Sequence, residues 1–226
     1  LIAVGDIMLS RDVARRINIK GVDYPYDATR EYLKSADLTF ANLETPITPG
    51  PSVPVNSMTF HSDPKVVPGL TRAGFDILSL ANNHTPNYGQ AGLLDTFKYL
   101  SEGGIKFVGA GKNAADAEAP VYIEAQGIKF AFLAYNDTDV VPDSYGASDN
   151  RAGTNFMDIS KVQKAVPEAK KHADVVIVSL HSGVEYTATP NSHQINFAHA
   201  AIDAGADMVI GHHPHVAQTL EKYNGK

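Results

Sequence analysis

The chain has 226 residues, of which 43% are hydrophobic and 19% charged, with a formal net charge of −6 at pH 7 and no cysteine. This length supports one sizeable core, and the acidic balance argues against broad nucleic-acid binding, which needs a basic face. The lack of cysteine excludes disulfides and thiolate metal sites, and no apolar run approaches the length of a membrane span.

Apolar runs alternate with amphipathic segments, which predicts an α/β fold with short connections. The predicted strands cover residues 1–9, 38–43, 75–81, 105–108, 175–180 and 208–210, with a hairpin over 121–123 and 128–135. An edge strand or hairpin is predicted over 218–223. The predicted helices cover residues 89–104, 160–172 and 192–204; the second takes Ser160 as its N-cap and is kinked or shifted by Pro167.

Two segments, 45–68 and 137–155, show neither helical nor strand periodicity. Long irregular segments in a compact domain are often functional. We find no linker, so residues 1–226 are predicted to form a single domain. Because Leu1 already lies in a predicted strand and Asn224-Gly225-Lys226 is a turn signal, we expect this domain to be truncated at both ends.

Polar side chains follow five of the predicted strands at the point where each strand ends. In an open α/β sheet, ligands gather at the carboxyl ends of the strands, so we expect these residues to meet at one rim. In chain order they are Asp6, then Asn42-Leu43-Glu44, then Asn82-Asn83-His84, then His181 with Glu185 beyond it, and finally His212-His213-Pro214-His215.

Carboxylate, amide and imidazole donors of this kind suit one or two divalent ions of manganese, zinc, iron, nickel or cobalt. Taken singly, most of these residues have a structural explanation: Asp6 as a turn or cap, the Asn pair in a turn, and His181 as a packed core residue. Three histidines within four positions after a buried strand are harder to explain, because unpaired buried imidazoles cost stability. The combined pattern therefore favours a metal site.

At these residues the chain resembles the CapA-type poly-γ-glutamate capsule synthesis family. The matching segments run in order through nearly the whole chain: Gly5-Asp6-Ile7-Met8-Leu9, Ala41-Asn42-Leu43-Glu44-Thr45-Pro46, Leu80-Ala81-Asn82-Asn83-His84, Tyr88-Gly89 with Gly92-Leu93, His181-Ser182-Gly183-Val184-Glu185-Tyr186, and Gly211-His212-His213-Pro214-His215-Val216. That family is similar to calcineurin-like metallophosphoesterases, which implies a four-layer α/β/β/α sandwich with a dimetal site.

The resemblance implies a role for each residue of the site. The metal ligands would be Asp6, Glu44 as the bridging acid, Asn83, His181, His213 and His215. We predict His84 and Glu185 as catalytic residues, and Arg11, Asn42, Tyr186 and His212 as substrate contacts. A surface salt bridge is an equal alternative to substrate contact for Arg11, and packing is an equal alternative to it for Tyr186.

One position departs from the metallophosphoesterase pattern. Those enzymes carry Asp-x-His at the first strand, and here Met8 stands in place of the histidine. A thioether is a poor ligand for a hard dication, so one metal position lacks a ligand that Glu185, His212 or water would have to replace. A second departure is the end of the sequence, because members of the family usually continue with another strand.

Three functions fit this pattern. The first is a metal-dependent hydrolase or transferase in the synthesis, export or attachment of poly-γ-glutamate, working beside other capsule synthase subunits at the membrane. The second is a generic metallophosphoesterase with a phosphorylated substrate, and the third is a non-catalytic subunit that binds the anionic polymer. We expect the protein to lie outside the cytoplasm, anchored to the membrane through a segment beyond this sequence.

Overall fold

A computed structural model describes residues 1–51, 53–54 and 56–226. In chain order the elements are β1 (Ile2–Ile7), α1 (Arg11–Lys20), α2 (Arg30–Leu33), β2 (Thr39–Leu43), α3 (Val67–Ala73), β3 (Ile77–Ser79), α4 (Gly89–Glu102), β4 (Lys106–Val108), β5 (Ala110–Gly111), α5 (Ala114–Glu118), β6 (Val121–Ala125), β7 (Ile128–Asn136), β8 (Gly153–Thr154), α6 (Ile159–Lys170), β9 (Val175–His181), α7 (Ser192–Asp203) and β10 (Met208–His212). Short 3₁₀ turns lie between some of them.

Two four-stranded sheets form the centre of the fold. The first has the order β1-β2-β3-β4 and is entirely parallel. The second has the order β10-β9-β7-β6, in which only the predicted β6–β7 hairpin is antiparallel. A small antiparallel pair of β5 and β8 lies beside them.

Three apolar layers hold the sheets and helices together. Between the sheets, Phe40 stacks on Phe132 with ring centroids 5.2 Å apart, and Ile77 and Ile177 pack around them. The outer face of the first sheet packs against α1, α3 and α4, and the outer face of the second against α6 and α7. The architecture is therefore the predicted four-layer α/β/β/α sandwich.

Strand alternation explains where the polar residues project. Successive side chains on a strand point to opposite faces, so Asn42 shares the inter-sheet face of β2 with Phe40. His181 likewise shares a face of β9 with Ile177, and His212 shares a face of β10 with Ile210. The carboxyl ends of strands from both sheets thus deliver polar groups to one rim between the layers.

Several local predictions need correction. The helix α6 is capped by Asp158, whose carboxylate accepts from the Ser160 and Lys161 N–H groups, rather than by Ser160. It begins at Ile159 and includes Pro167, so the proline does not shift its start. Residues 218–223 form no strand, because no neighbouring strand pairs with them in the described residues. The predicted turn after them is present, with Asn224 and Gly225 at φ 47° and 84°.

The irregular segments are anchored to the sandwich by hydrogen bonds. In the 45–68 segment, the Ile47 N–H donates to Thr96 Oγ1, and the His61 N–H donates to Ser10 Oγ. The segment also includes a 3₁₀ turn at Pro64–Val66 and the start of α3. In the part of the chain that the structure covers, no helix combines the length and apolar character needed to cross a membrane.

Candidate metal centre

The first sheet contributes Asp6 and Glu44 to the rim. Asp6 lies in β1 opposite Asn42 of β2, and Asn42 Nδ2 donates to Asp6 Oδ1 over 2.8 Å. Glu44 directly follows β2, where its N–H donates to the Ile7 carbonyl. The Glu44 residue is only 2% exposed, so its carboxyl group is held away from bulk water.

The loop after β3 is held by Asn82 and presents Asn83 and His84. Asn82 Oδ1 accepts from the His84 and Thr85 N–H groups at 3.0 and 2.8 Å, and Asn82 Nδ2 donates to Asn42 Oδ1 over 3.1 Å. Asn82 therefore stabilises the turn, which is the structural explanation given above for the Asn pair. Asn83 instead faces the second sheet.

The second sheet contributes His181 from the end of β9. His181 Nε2 lies 2.9 Å from Asn83 Oδ1 and 3.5 Å from Glu44 Oε1. Its Nδ1 lies 3.2 Å from Asn42 Nδ2 and 4.0 Å from Asp6 Oδ1. This one imidazole therefore contacts groups from both sheets and closes the rim.

The turn after β10 brings the remaining histidines around Asp6. His212 Nδ1 lies 3.5 Å and His215 Nδ1 3.2 Å from Asp6 carboxylate oxygens, and the His213 N–H donates to Asp6 Oδ2. The His181 and His213 rings are 4.8 Å apart. His213 and His215 both adopt positive φ, at 94° and 56°, a strained conformation for these residues that is typical of functional sites.

Burial and neighbouring charges set the protonation of the cluster. For Asp6, burial favours the neutral acid, but the adjacent His212 imidazole, the nearby His181 and the Asn42 hydrogen bond outweigh it and lower the pKa below its usual range. Burial raises the pKa of Glu44 to about 9, helped by the negative charges of Asp6 and Glu185. Burial lowers the pKa of His84, His181 and His213, which favours neutral imidazoles with a free nitrogen for ligation.

The donor set fits a divalent cation. Glu44 Oε1 and His213 Nδ1 are buried and have no hydrogen-bond partner among residues 1–51, 53–54 and 56–226. Buried polar atoms normally have a partner, so these two mark positions where an additional group would be stabilised. Glu44, His213 and His215 each offer one ligand atom, and the three atoms lie within 4.8 Å of one another.

The residues predicted to contact substrate occupy different depths. Arg11 lies over the Phe60 ring, with its guanidinium carbon 4.8 Å from the ring centroid, and its charge acts on Glu44. Tyr186 is exposed at the rim, 6.0 Å from the His215 ring. Asn42 and His212 are instead buried beneath Asp6 and face other protein groups.

Met8 stands where a histidine ligand is expected, and Glu185 is one of the residues that could replace that ligand. Glu185 is partly exposed, with Oε1 3.9 Å from His215 Nε2. The Met8 sulfur accepts from the Ser10 N–H at 3.2 Å and so is engaged in its own turn. Whether Glu185 or His212 replaces the histidine that Met8 displaces stays a prediction.

A second group lies behind His181 and was not anticipated from sequence. Asp137 follows β7, and its carboxylate accepts from Ser182 Oγ and from the Asp139 N–H. His193 Nδ1 lies 3.3 Å from Asp137 Oδ2. The sequence predicts residues 137–155 only as a long loop, because the pairing of Asp137 with the residue after His181 depends on how β7 and β9 align.

Comparisons with known proteins identify the family. A family model described as "Bacterial capsule synthesis protein PGA_cap" matches residues 1–226. The chain is 36% identical over 228 residues to "Capsule biosynthesis protein CapA" of Bacillus anthracis, and 35% identical over 225 residues to "PGA biosynthesis protein CapA" of Bacillus subtilis. These alignments cover 97% and 98% of this chain but 55% and 59% of the relatives, so the chain spans little more than half their length.

Among solved structures, the fold is similar to "Putative 5'-Nucleotidase from Staphylococcus aureus in complex with alpha-ketoglutarate". The TM-score is 0.56 with 16% sequence identity, covering 89% of this chain and 41% of that one. At this identity the likeness concerns the fold alone. It agrees with the α/β/β/α sandwich that the family resemblance implies.

Proposed function

The chain belongs to the bacterial capsule synthesis protein PGA_cap family, and we propose that its rim binds one or two divalent cations and acts as a hydrolase or transferase on poly-γ-glutamate. The observation that carries this proposal is a set of buried atoms that have no hydrogen-bond partner in the described part of the chain, including Glu44 Oε1 and His213 Nδ1, inside a cluster of carboxylate and imidazole groups. The proposed pathway, capsule and PGA biosynthesis, is taken from the names of the two Bacillus relatives.

In this proposal the ligands are Asp6, Glu44, Asn83, His181, His213 and His215. A dication bound there would polarise a carbonyl or phosphoryl oxygen and lower the pKa of water. Asn42 and His212 would orient Asp6, since both face its carboxylate. The neutral imidazoles accept a cation without first losing protons, whereas Glu44 must release one.

The substrate we propose is an anionic polymer. An acidic protein can bind such a polymer only where cationic groups offset its negative charge. Arg11 supplies a positive charge beside the cluster, and bound metal would add more. Tyr186 and Glu185 lie at the exposed edge, where a polymer would pass. His84 and Glu185 are the residues we propose for proton transfer or substrate orientation.

We further propose that residues 1–226 act as one domain and that the protein works in the cell envelope beside other capsule synthase subunits. The shared apolar layer between the two sheets supports a single folding unit. The envelope location rests on the capsule names of the relatives. Protease protection and cell fractionation of the native protein test the location.

The activity is tested by incubating the protein with poly-γ-glutamate and Mn²⁺ and measuring polymer length and newly formed amino ends. We expect turnover that chelation abolishes and that Glu44→Gln and His213→Ala eliminate. Turnover that persists in these variants after they lose metal would contradict the mechanism. Phosphate release from a panel of phosphate esters, without any change in the polymer, would instead favour the generic phosphoesterase.

A further inference from the structure

Asn87 contacts two different donors through a single oxygen. The Phe60 N–H donates to Asn87 Oδ1 over 2.8 Å, and His84 Nδ1 lies 2.9 Å from the same atom. A backbone N–H can only donate, so the amide atom that faces it must be the oxygen and not the nitrogen. An amide oxygen can only accept, so His84 Nδ1 must carry the hydrogen in this contact.

This contact defines the other nitrogen of the ring. In a neutral imidazole one nitrogen donates and the other accepts, so a hydrogen on Nδ1 leaves the lone pair on Nε2. The charges that act on His84 include those of Glu185, His213 and His215, all from the rim of the metal centre. With Nδ1 bonded to Asn87, Nε2 is the ring nitrogen that stays available for a further contact.

Phe60 fixes the plane of the same imidazole. Its ring stacks on His84 with centroids 3.8 Å apart and an interplanar angle of 20°. Phe60 is only 6% exposed, and the Arg11 guanidinium lies 4.8 Å from its ring centroid. The ring of His84 is thus held by stacking on one face and by a hydrogen bond at one edge.

We propose that Asn87 and Phe60 are positioning residues that lock His84 with Nε2 as a hydrogen-bond acceptor toward the substrate. This inference rests on the proposed function and refines it. A locked acceptor selects substrates that present an O–H or N–H group at this point, such as an amide N–H, a hydroxyl or a water molecule. It disfavours groups that can only accept.

A purely structural role for Asn87 predicts a different result for the His84 tautomer. Asn87 Nδ2 also lies 3.4 Å from the Tyr145 hydroxyl, so the side chain could serve only to hold two loops together. In that case the tautomer of His84 would not depend on Asn87. The distinguishing quantity is the tautomer itself, which can be measured without any assay of activity.

The test is long-range ¹H–¹⁵N NMR of the histidine rings in ¹⁵N-labelled protein at pH 8, with His84 assigned by the loss of its signal in His84→Gln. We expect the Nδ1-protonated tautomer in the wild type and in Asn87→Asp, which keeps an oxygen acceptor. Asn87→Leu should lose this preference. As a matched control, Asn113→Ala removes another side-chain oxygen that accepts a backbone N–H, at the start of α5, and should leave His84 unchanged.

The Nε2-protonated tautomer in the wild type, or an unaltered tautomer in a folded Asn87→Leu protein, would overturn the inference. With poly-γ-glutamate, whose amide N–H groups can donate, and Mn²⁺ as the probe, Asn87→Leu and Phe60→Leu should lower kcat about 10–100-fold with little change in KM, and Asn87→Asp should retain most activity. An unchanged kcat in Asn87→Leu would also refute the positioning role. Absence of wild-type turnover would count against the proposed function, and the NMR result would still decide the tautomer.

Discussion

Replacing Glu44 with glutamine should stabilise the protein in the absence of divalent cations. Burial raises the pKa of Glu44 to about 9 from its ordinary value of 4.5, so the folded state holds a proton on this group at neutral pH. At pH 7 that protonation costs about 3 kcal/mol, because pH 7 lies about 2.5 units above the ordinary pKa and each unit corresponds to about 1.4 kcal/mol. Glutamine has a similar shape and no charge, so it avoids most of this cost.

The sign of the pH dependence follows from the same shift. Between pH 4.5 and 9 the folded state holds a proton on Glu44 that the unfolded state has lost, so this group makes stability fall as pH rises. Glutamine does not titrate. The advantage of Glu44→Gln should therefore grow from about 1 kcal/mol at pH 5 to about 3 kcal/mol at pH 7.

Urea unfolding in the presence of chelator, at several pH values, measures this difference. Glu185→Gln is the matched control, because Glu185 lies at the exposed rim and its replacement should change stability by less than about 1 kcal/mol. With Mn²⁺ present the order should reverse, since the variant loses a ligand. A Glu44→Gln protein that is less stable than the wild type in chelator, or a difference independent of pH, would refute the reasoning.

Three further predictions concern the site and the core. His213→Ala should remove the rise in melting temperature that Mn²⁺ produces in the wild type, because it deletes a buried nitrogen at the rim. Gly109→Ala should destabilise the fold by roughly 2–5 kcal/mol in urea unfolding, since Gly109 has φ 82° and a Cβ there would lie 2.6 Å from the Ala81 Cβ. Phe132→Ala should cost about 3–5 kcal/mol in the same assay by opening a cavity between the sheets.

The sequence predicts the rim because period-two alternation and strand ends are local features. His181 follows an unbroken apolar strand, and His213 follows another, so their meeting requires only that parallel strands align. The division into two sheets could not be obtained in this way. Strand order depends on contacts between residues far apart, such as Phe40 with Phe132, and only the resemblance to a known family implied it.

The helices near the start show another limit. Residues 11–20 carry many charges and follow a strand directly, so no helix was predicted there. Asp12 pairs with Arg15 and Arg16 at helical spacing, while Ile17 provides the buried face. The cap of α6 was misplaced by two residues because Asp158 and Ser160 are both good capping residues, and only the backbone conformation decides between them.

The residues that support the site were the hardest to find. Phe60 and Asn87 are 27 positions apart and meet through one hydrogen bond, and neither belongs to a recognisable ligand motif. Asp137 contacts Ser182 across 45 positions. Such pairs are set by the tertiary packing of loops against strand ends, which a single sequence does not encode in any local pattern.

Anomalous scattering from crystals of the native protein soaked with Mn²⁺ tests the central claim most directly. We predict a peak at the rim, within coordination distance of Glu44, His181 and His213, that disappears in Glu44→Gln crystals. A metal-replete crystal without a peak there, or with its only peak at the Asp137–His193 group, would contradict the claim.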